Sequence, residues 1–371
     1  MGTFYLHIGT TKTGTTAIQE FLSSNRRRLK KRGILYPELG ISNRAHHLLS
    51  HLWGGSGWMD PEMIAQHQLK RNEILKQLAE TIDSWKGDTL CSAEHFWGQL
   101  KNPDICNDIT RHIPAEKIVL IVYLRRQDQR IQSAYNQRIR IGAAPPPPHE
   151  LSAQQLINWY DLDYATRIRT ILNNLPGTRM VVRPYEKTQF VGGSIFADFL
   201  HTIGLPLSSE LRLPEKAVNT SLDRDRLEFL RLFNASGLKR KHQQKLKTSL
   251  LRIAAELDAP QDGAKQAFMP ASLQLEIHRA LESGNRWIGE KFLPDNRGQL
   301  FAESPSPTES VPFCAHQLSA ESAVRILREL RPRIGRLEHQ LMEHLAGTRY
   351  AGEPPAREAA DQLHQLLNAD S

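Results

Sequence analysis

The chain has 371 residues, a formal net charge of +8 and an isoelectric point near 9.4. Hydrophobic residues make up 40% and charged residues 24%, a composition typical of a soluble globular protein with one large domain or two. The three cysteines lie far apart, which excludes a disulfide framework and gives no metal-type spacing. No apolar run approaches the ~20 residues of a membrane-spanning helix, and no signal peptide precedes the first strand.

These features predict a cytoplasmic protein, with a peripheral association with the membrane left open. The positive charge favours anionic partners, such as a nucleotide, an acidic polysaccharide, a membrane surface or nucleic acid.

The first predicted element is an apolar strand over 4–8, followed by a loop of Gly and Thr and an amphipathic helix from Gly14 to about Arg32. The first N–H groups of a helix have no partner within it, and the helix dipole makes that end partly positive. A strand, a turn and a helix start therefore form a site for an anion. Lys12 adds a charge, and further donors come from the hydroxyls of Thr10, Thr11, Thr13, Thr15 and Thr16. The stretch predicts a phosphate or sulfate site.

Gly9 and Gly14 have the spacing of the two glycines in a Walker A loop, but Thr15 stands where that motif has its lysine. The lysine lies inside the loop, at Lys12. The arrangement TTKTGTT resembles the 5′-phosphosulfate loop of the sulfotransferases that use 3′-phosphoadenosine 5′-phosphosulfate (PAPS), which has the form Lys-[Ser/Thr]-Gly-Thr-[Thr/Ser]. The resemblance implies that residues 10–16 bind the phosphosulfate of PAPS. The alternative is a threonine-rich turn with an incidental lysine.

A short strand over 34–36 and a long helix over 60–85 follow. His47 and His51 are four residues apart, a spacing that allows a metal pair on a helix, but no third ligand is evident. No metal site is therefore predicted. We expect this region, with His46, Trp53 and Trp58, to line an acceptor cleft, since these side chains combine apolar faces with polar tips.

The next predicted strand, over 89–93, runs directly into Glu94 and His95. Ligands of open α/β sheets bind beyond the carboxyl ends of the strands, so both residues are candidates for proton transfer. Sulfotransferases deprotonate the acceptor with a His in the cytosolic small-molecule enzymes and with a Glu in several carbohydrate and protein-tyrosine enzymes. The pattern SAEHFW resembles that of the enzymes that use a Glu. This resemblance implies that Glu94 is the base, with His95 as the second candidate. The alternative for Glu94 is a surface carboxylate or an ion pair with an arginine.

A continuous apolar run over 117–124 predicts a parallel strand that is buried on both faces. It ends at Arg125, and a helix is predicted over 127–141. Sulfotransferases have an Arg at the end of such a strand and a Ser eight residues later, which together bind the 3′-phosphate of PAPS. Arg125 and Ser133 have that spacing. Arginine suits the task because its planar fork makes two bonds to phosphate. The alternative is an ion pair between Arg125 and Asp128.

A strand over 180–183 leads to Tyr185, which by its position resembles the Tyr that approaches the adenine in these enzymes. The resemblance covers about residues 1–204. The chain lacks the Arg-Lys-Gly segment of the cytosolic small-molecule relatives. This difference argues against the branch of the sulfotransferases that acts on steroids and phenols. We predict a PAPS-binding core over 1–204, a helical part of the same domain over 205–303, and a linker with a helical tail over 304–371.

The sequence thus predicts an α/β protein with a central parallel sheet flanked by helices, of P-loop type, with a helical C-terminal extension. The resemblance implies transfer of a sulfuryl group from PAPS to a hydroxyl, on a carbohydrate, glycolipid or small molecule, without a metal and without a nucleic-acid partner. Two alternatives stay open. One is a P-loop nucleotide kinase or hydrolase with an atypical Walker A loop, and the other is a non-catalytic protein that binds anions or glycans.

Overall fold

The structure is a computed structural model. It describes residues 2–42, 44–51, 61–214, 222, 224–235, 247–252, 269–296, 298–303 and 326. The chain divides into two compact units, and each is discontinuous in sequence. The first unit comprises 1–130, 157–217 and 277–304, and the second comprises 131–156, 218–276 and 305–371. The contiguous segments that the sequence suggested, with boundaries at 204 and 303, stay a prediction.

A five-stranded sheet forms the centre of the first unit, and all of its strands are parallel. In chain order the strands are β1 (Phe4–Gly9), β2 (Ile34–Leu35), β3 (Asp88–Ser92), β4 (Ile118–Leu124) and β5 (Arg179–Pro184). Their order across the sheet is β2-β3-β1-β4-β5. The predicted α/β class with a central parallel sheet is therefore confirmed. The continuous apolar run was interpreted correctly, since all seven residues of β4 are buried.

An apolar cluster covers each face of the sheet. Side chains alternate along each strand, so successive residues belong to different clusters. Phe4, Leu6 and Ile8 of β1 belong to one apolar cluster, together with every second residue of β4 from Ile118 to Leu124. The intervening residues Ile121 and Tyr123 belong to a second cluster, which α1 joins through Ile18, Phe21 and Leu22. The apolar stripe that the sequence predicted for this helix therefore packs against the sheet.

Twelve α-helices are assigned bounds in the described part of the chain. They are α1 (Thr15–Ser24), α2 (Arg26–Lys31), α3 (His47–His51), α4 (Pro61–Ser84), α5 (Phe96–Gln99), α6 (Pro103–His112), α7 (Gln127–Arg140), α8 (Ala153–Tyr160), α9 (Tyr164–Asn174), α10 (Ile195–Thr202), α11 (Arg224–Ala235) and α12 (Ala271–Phe292). None of the described helices combines the length and the apolar character needed to cross a membrane.

The single helix predicted from Gly14 to Arg32 is wrong, because the chain breaks it into α1 and α2 at Asn25. The Asn25 side-chain amide donates hydrogen bonds to the carbonyl oxygens of Phe21 and Arg212, at 2.9 and 2.8 Å. Its Oδ1 accepts from the backbone N–H of Arg212 at 2.8 Å. Asn25 thus binds a segment 187 residues later in the chain. Side-chain bonds of this kind compete with helix propagation.

Several predictions fall outside the described residues. They concern the aromatic residues Trp53 and Trp58 and, apart from residue 326, the linker and helical tail over 304–371.

Candidate functional site

The loop between β1 and α1 is fixed to the neighbouring strand by its own threonines. The backbone N–H and the hydroxyl of Thr10 both donate to the carbonyl oxygen of Tyr123, the sixth residue of β4, at 3.2 and 3.1 Å. The Thr13 hydroxyl donates to the carbonyl oxygen of Thr10 at 2.5 Å. Both threonines are buried, whereas Thr11 and Thr16 are exposed. The buried hydroxyls therefore fix the shape of the loop, and the two exposed ones face solvent.

The tip of the loop turns through two residues in the left-handed region, Lys12 at φ 68° and Gly14 at φ 74°. Gly14 has no room for a side chain. A Cβ at this position would lie 2.6 Å from Cδ1 of Ile195 and 3.0 Å from Cε2 of Tyr185. Tyr185 follows the last strand, β5, and Ile195 begins α10. The loop is therefore packed between elements that come more than 170 residues after it in the chain.

Glu94 contacts the first residue of α1. The strand β3 ends at Ser92, and Glu94 lies in the turn before α5. Its Oε2 accepts a hydrogen bond from the Thr15 hydroxyl at 2.5 Å. Its backbone also lies close to Gly9, where an added Cβ would come within 3.0 Å of the Glu94 carbonyl oxygen. Glu94 therefore lies beside the loop, and this hydrogen bond of its carboxylate is with a hydroxyl rather than with an arginine.

His95 points elsewhere. It is exposed, and its ring centroid lies 5.2 Å from that of His47 on α3. Burial lowers the pKa of His47, the charge of His95 lowers it further, and the charge of Glu94 opposes this shift. His47 is thus within electrostatic reach of Glu94. Among the described residues, no group of three His, Cys, Asp or Glu side chains is arranged to hold a metal ion.

Arg125, directly after β4, also contacts the loop. Its Nη1 donates to the carbonyl oxygen of Lys12 at 3.3 Å and its Nε to Oε1 of Gln129 at 3.4 Å. Its guanidinium carbon lies 5.6 Å from the centroid of the Tyr185 ring. Burial lowers the pKa of Arg125 from its usual value. A bound anion would therefore stabilise this desolvated cation.

The alternative ion pair between Arg125 and Asp128 is wrong, because Asp128 pairs with Arg126. Nε and Nη2 of Arg126 donate to the two oxygens of Asp128 at 2.8 and 3.0 Å. Arg126 also lies 3.6 Å from the carboxylate of Glu303. The sequence could not separate the two adjacent arginines, since their side chains leave the end of the strand in different directions.

The remaining predicted residues are placed as follows. Ser133 is a partly buried residue of α7 within the second unit, so its pairing with Arg125 stays a prediction. Tyr185 contacts both Arg125 and the loop, and its role at the adenine stays a prediction. Sequence analysis missed Ile195, because an isolated residue within a helix carries no signal until the fold brings it against the loop.

No family model matches the chain, and no solved structure matches it. A protein of Archaeoglobus fulgidus, described as uncharacterized, is 25% identical over 186 residues. These residues are 50% of this chain and 48% of that protein. The chain therefore matches about half the length of this relative. A relative without a described activity adds no function, so the function is inferred from the residues of the site.

Proposed function

We propose that the protein is a sulfotransferase with a P-loop-type core, which transfers a sulfuryl group from PAPS to an acceptor hydroxyl. The observation that carries this proposal is the convergence of the ends of three strands, β3, β4 and β5, on the loop that follows β1. Thr15 contacts Glu94 after β3, Lys12 contacts Arg125 after β4, and Gly14 contacts Tyr185 after β5. These residues come from distant parts of the sequence, and they carry the types that the transfer requires.

The strand order supports a ligand site at this edge. The chain adds β2 and β3 on one side of β1 and then adds β4 and β5 on the other. Ligands of open parallel sheets bind beyond the carboxyl ends of the strands, where the order changes direction. The loop after β1 lies at that point.

In the proposed reaction, the acceptor oxygen attacks sulfur in line, and the bond from sulfur to the bridging phosphate oxygen breaks. Adenosine 3′,5′-bisphosphate leaves. Lys12 and the loop N–H groups offset the charge that grows on the bridging and phosphate oxygens. Arg125 holds the 3′-phosphate and Tyr185 the adenine, which positions the sulfur for attack.

Glu94 takes the proton of the acceptor hydroxyl. A general base must lie within hydrogen-bond reach of the proton that it removes. The hydrogen bond from Thr15 holds the Glu94 carboxylate beside the loop that would bind the phosphosulfate. His95, which is exposed, is the second candidate for this role. The proposed acceptor is a hydroxyl of a carbohydrate or glycolipid, and acceptor screening with labelled PAPS tests that choice.

One contact favours a second candidate, a nucleotide kinase or hydrolase. The Thr15 hydroxyl and the Glu94 carboxylate form a pair of oxygen groups beside the loop. Nucleotide triphosphatases hold Mg²⁺ with a loop hydroxyl and a carboxylate that follows a strand. Against this candidate, the lysine lies at position 12 rather than directly after Gly14.

Calorimetry on the full chain separates the two candidates. We expect adenosine 3′,5′-bisphosphate to bind without Mg²⁺, and ATP with Mg²⁺ to bind far more weakly. Lys12→Ala should weaken bisphosphate binding at least about tenfold, because it removes a charge-assisted hydrogen bond. Lys76→Ala is the matched control, since this side chain is 72% exposed on α4. Tight binding of ATP with Mg²⁺ alone would overturn the sulfotransferase proposal, and equal binding by Lys12→Ala would remove the phosphosulfate site.

A further inference from the structure

The helix α2 presents several cations on one exposed face. Its sequence is RRRLKK, with no acidic residue in its first turn, and Arg32 follows it. Leu29 is the residue that this helix buries. Arg27, Lys30 and Lys31 are exposed. They are three and four residues apart, so they share the face of the helix that is opposite Leu29. We call these three residues the basic face.

The fold does not neutralise the basic face. Its three cations form no ion pair with any described residue, whereas the neighbouring Arg26 pairs with Glu38 at 2.5 Å. Like charges three and four residues apart repel each other and destabilise a helix. A negatively charged partner at this face would offset the repulsion.

Two apolar side chains flank the basic face. At one end of α2, the Nζ atom of Lys30 lies 5.4 Å from the centroid of the Trp85 ring, which is partly buried. At the other end, the side chain of Asn25 bonds to the backbone N–H and the carbonyl oxygen of Arg212, both at 2.8 Å. Leu213, the next residue, is 54% exposed, more than any other large hydrophobic side chain in the described chain. The cations thus lie between an aromatic and an aliphatic side chain.

The basic face lies away from the loop that follows β1. The Trp85 indole N–H donates to the carbonyl oxygens of Gly33 and Asp88, at 3.4 and 3.2 Å. Gly33 precedes β2 and Asp88 begins β3, so this end of α2 lies at the amino ends of the strands. The loop lies beyond the carboxyl end of β1, at the opposite edge of the parallel sheet. A partner at the basic face would therefore leave the candidate site open.

We propose that the basic face, together with Trp85 and Leu213, binds the surface of a membrane that contains anionic lipids. Cations contact the phosphates of the lipid headgroups, and apolar side chains beside them enter the interface. A nucleic acid also offers phosphates, but it would leave the exposed leucine in water. This inference does not rest on the proposed function. It gives a surface to the peripheral membrane association that the net charge left open.

Cosedimentation of the full chain with lipid vesicles tests the proposal. The vesicles contain phosphatidylcholine alone or mixed with phosphatidylglycerol. We expect binding to the mixed vesicles only, and weaker binding as the salt concentration rises. The triple variant Arg27→Gln, Lys30→Gln, Lys31→Gln should bind them about a hundredfold more weakly, because each basic residue near an anionic surface contributes about fivefold. Leu213→Ser should weaken binding about tenfold, because its aliphatic side chain no longer enters the interface.

A second triple variant is the matched control. Lys76→Gln, Arg111→Gln, Arg286→Gln changes the net charge equally, at side chains that are 72%, 64% and 65% exposed and are paired with carboxylates. Vesicle binding by this variant should change less than about threefold. Thermal unfolding without lipid checks the fold, and we expect the first triple variant to keep or raise the Tm because it removes like-charge repulsion. Lys31→Glu, a single change at an exposed position, should by itself weaken binding about tenfold.

Three results would overturn the proposal. The first is an absence of binding to the mixed vesicles, whether or not a DNA duplex binds to the basic face instead. The second is equal weakening by both triple variants, which would show that net charge acts rather than this surface. The third is unchanged binding by Leu213→Ser, because a purely electrostatic surface would suit any polyanion.

Discussion

Replacing Gly14 by alanine tests the packing of the loop without any ligand. Gly14 has φ 74° and ψ 11°, and the left-handed conformation costs an L-residue about 1–2 kcal/mol. The new Cβ would also lie 2.6 Å from Cδ1 of Ile195. That atom ends a flexible side chain, so it can move at a cost of about 1 kcal/mol for an unfavourable rotamer. We therefore expect Gly14→Ala to lower the free energy of unfolding by about 2–3 kcal/mol.

Two other glycines separate the backbone cost from the packing cost. Gly33 has φ 86° and no atom within 4 Å of an added Cβ, so Gly33→Ala measures the backbone cost alone. Gly98 lies in α5 and has no such neighbour either. Gly98→Ala should be neutral or stabilising by up to about 1 kcal/mol, because alanine is the better helix former. The difference between Gly14→Ala and Gly33→Ala is then the cost of the contacts with Ile195 and Tyr185.

Scanning calorimetry of these variants gives the assay, since all three glycines belong to the first unit. A loss of about 2–3 kcal/mol corresponds to a decrease in Tm of about 4–12 °C for a unit of this size. Ile195→Val removes the Cδ1 atom, so it should reduce the cost of Gly14→Ala in the double variant. The packing argument is refuted if Gly14→Ala costs no more than Gly33→Ala, or if the effects of Gly14→Ala and Ile195→Val simply add.

Three further predictions concern buried or partly buried polar groups. Glu94→Gln keeps an acceptor for the Thr15 hydroxyl, so we expect an unchanged Tm. Because the amide cannot take the proton, we expect sulfuryl transfer to be slower by about 10²–10⁴-fold. Unchanged turnover would assign the role of the base to His95 instead. Burial lowers the pKa of His7 to about 3, so between pH 6.5 and about 3 the unfolded state binds the proton and the folded state does not. His7 therefore reduces stability by about 1.4 kcal/mol per pH unit as the pH falls through this window, and His7→Gln should make the pH dependence of urea unfolding shallower by that amount. An equal slope in both proteins would contradict the assignment. Asp198, which is fully buried, accepts from the Tyr123 hydroxyl at 2.7 Å and pairs with Arg183. Asp198→Asn should cost about 3–5 kcal/mol in urea unfolding, because Arg183 loses its counter-ion, and a cost under about 1 kcal/mol would contradict this reasoning.

Hydrophobic periodicity was sufficient to predict the five strands of the sheet in the first unit. The run over 117–124 became β4, which is buried on both faces, and the long apolar stripe over 60–85 became α4. These signals are local, because each element must present its own apolar residues to a core. The break at Asn25 was missed because the segment around Arg212 satisfies that side chain, and no local pattern reveals it.

At the site, the sequence by itself determined which residue types follow the strands: a lysine within a threonine loop, a carboxylate beside a histidine, and two adjacent arginines. Only the tertiary structure decided which of these residues meet. The parallel sheet brings the ends of β1, β3, β4 and β5 to one edge, so Thr15 contacts Glu94 and Lys12 contacts Arg125. The turn after β3 directs Glu94 to the loop and leaves His95 exposed. The physical reason is that strand order and side-chain direction depend on contacts between residues far apart in the chain, whereas a motif records only neighbours.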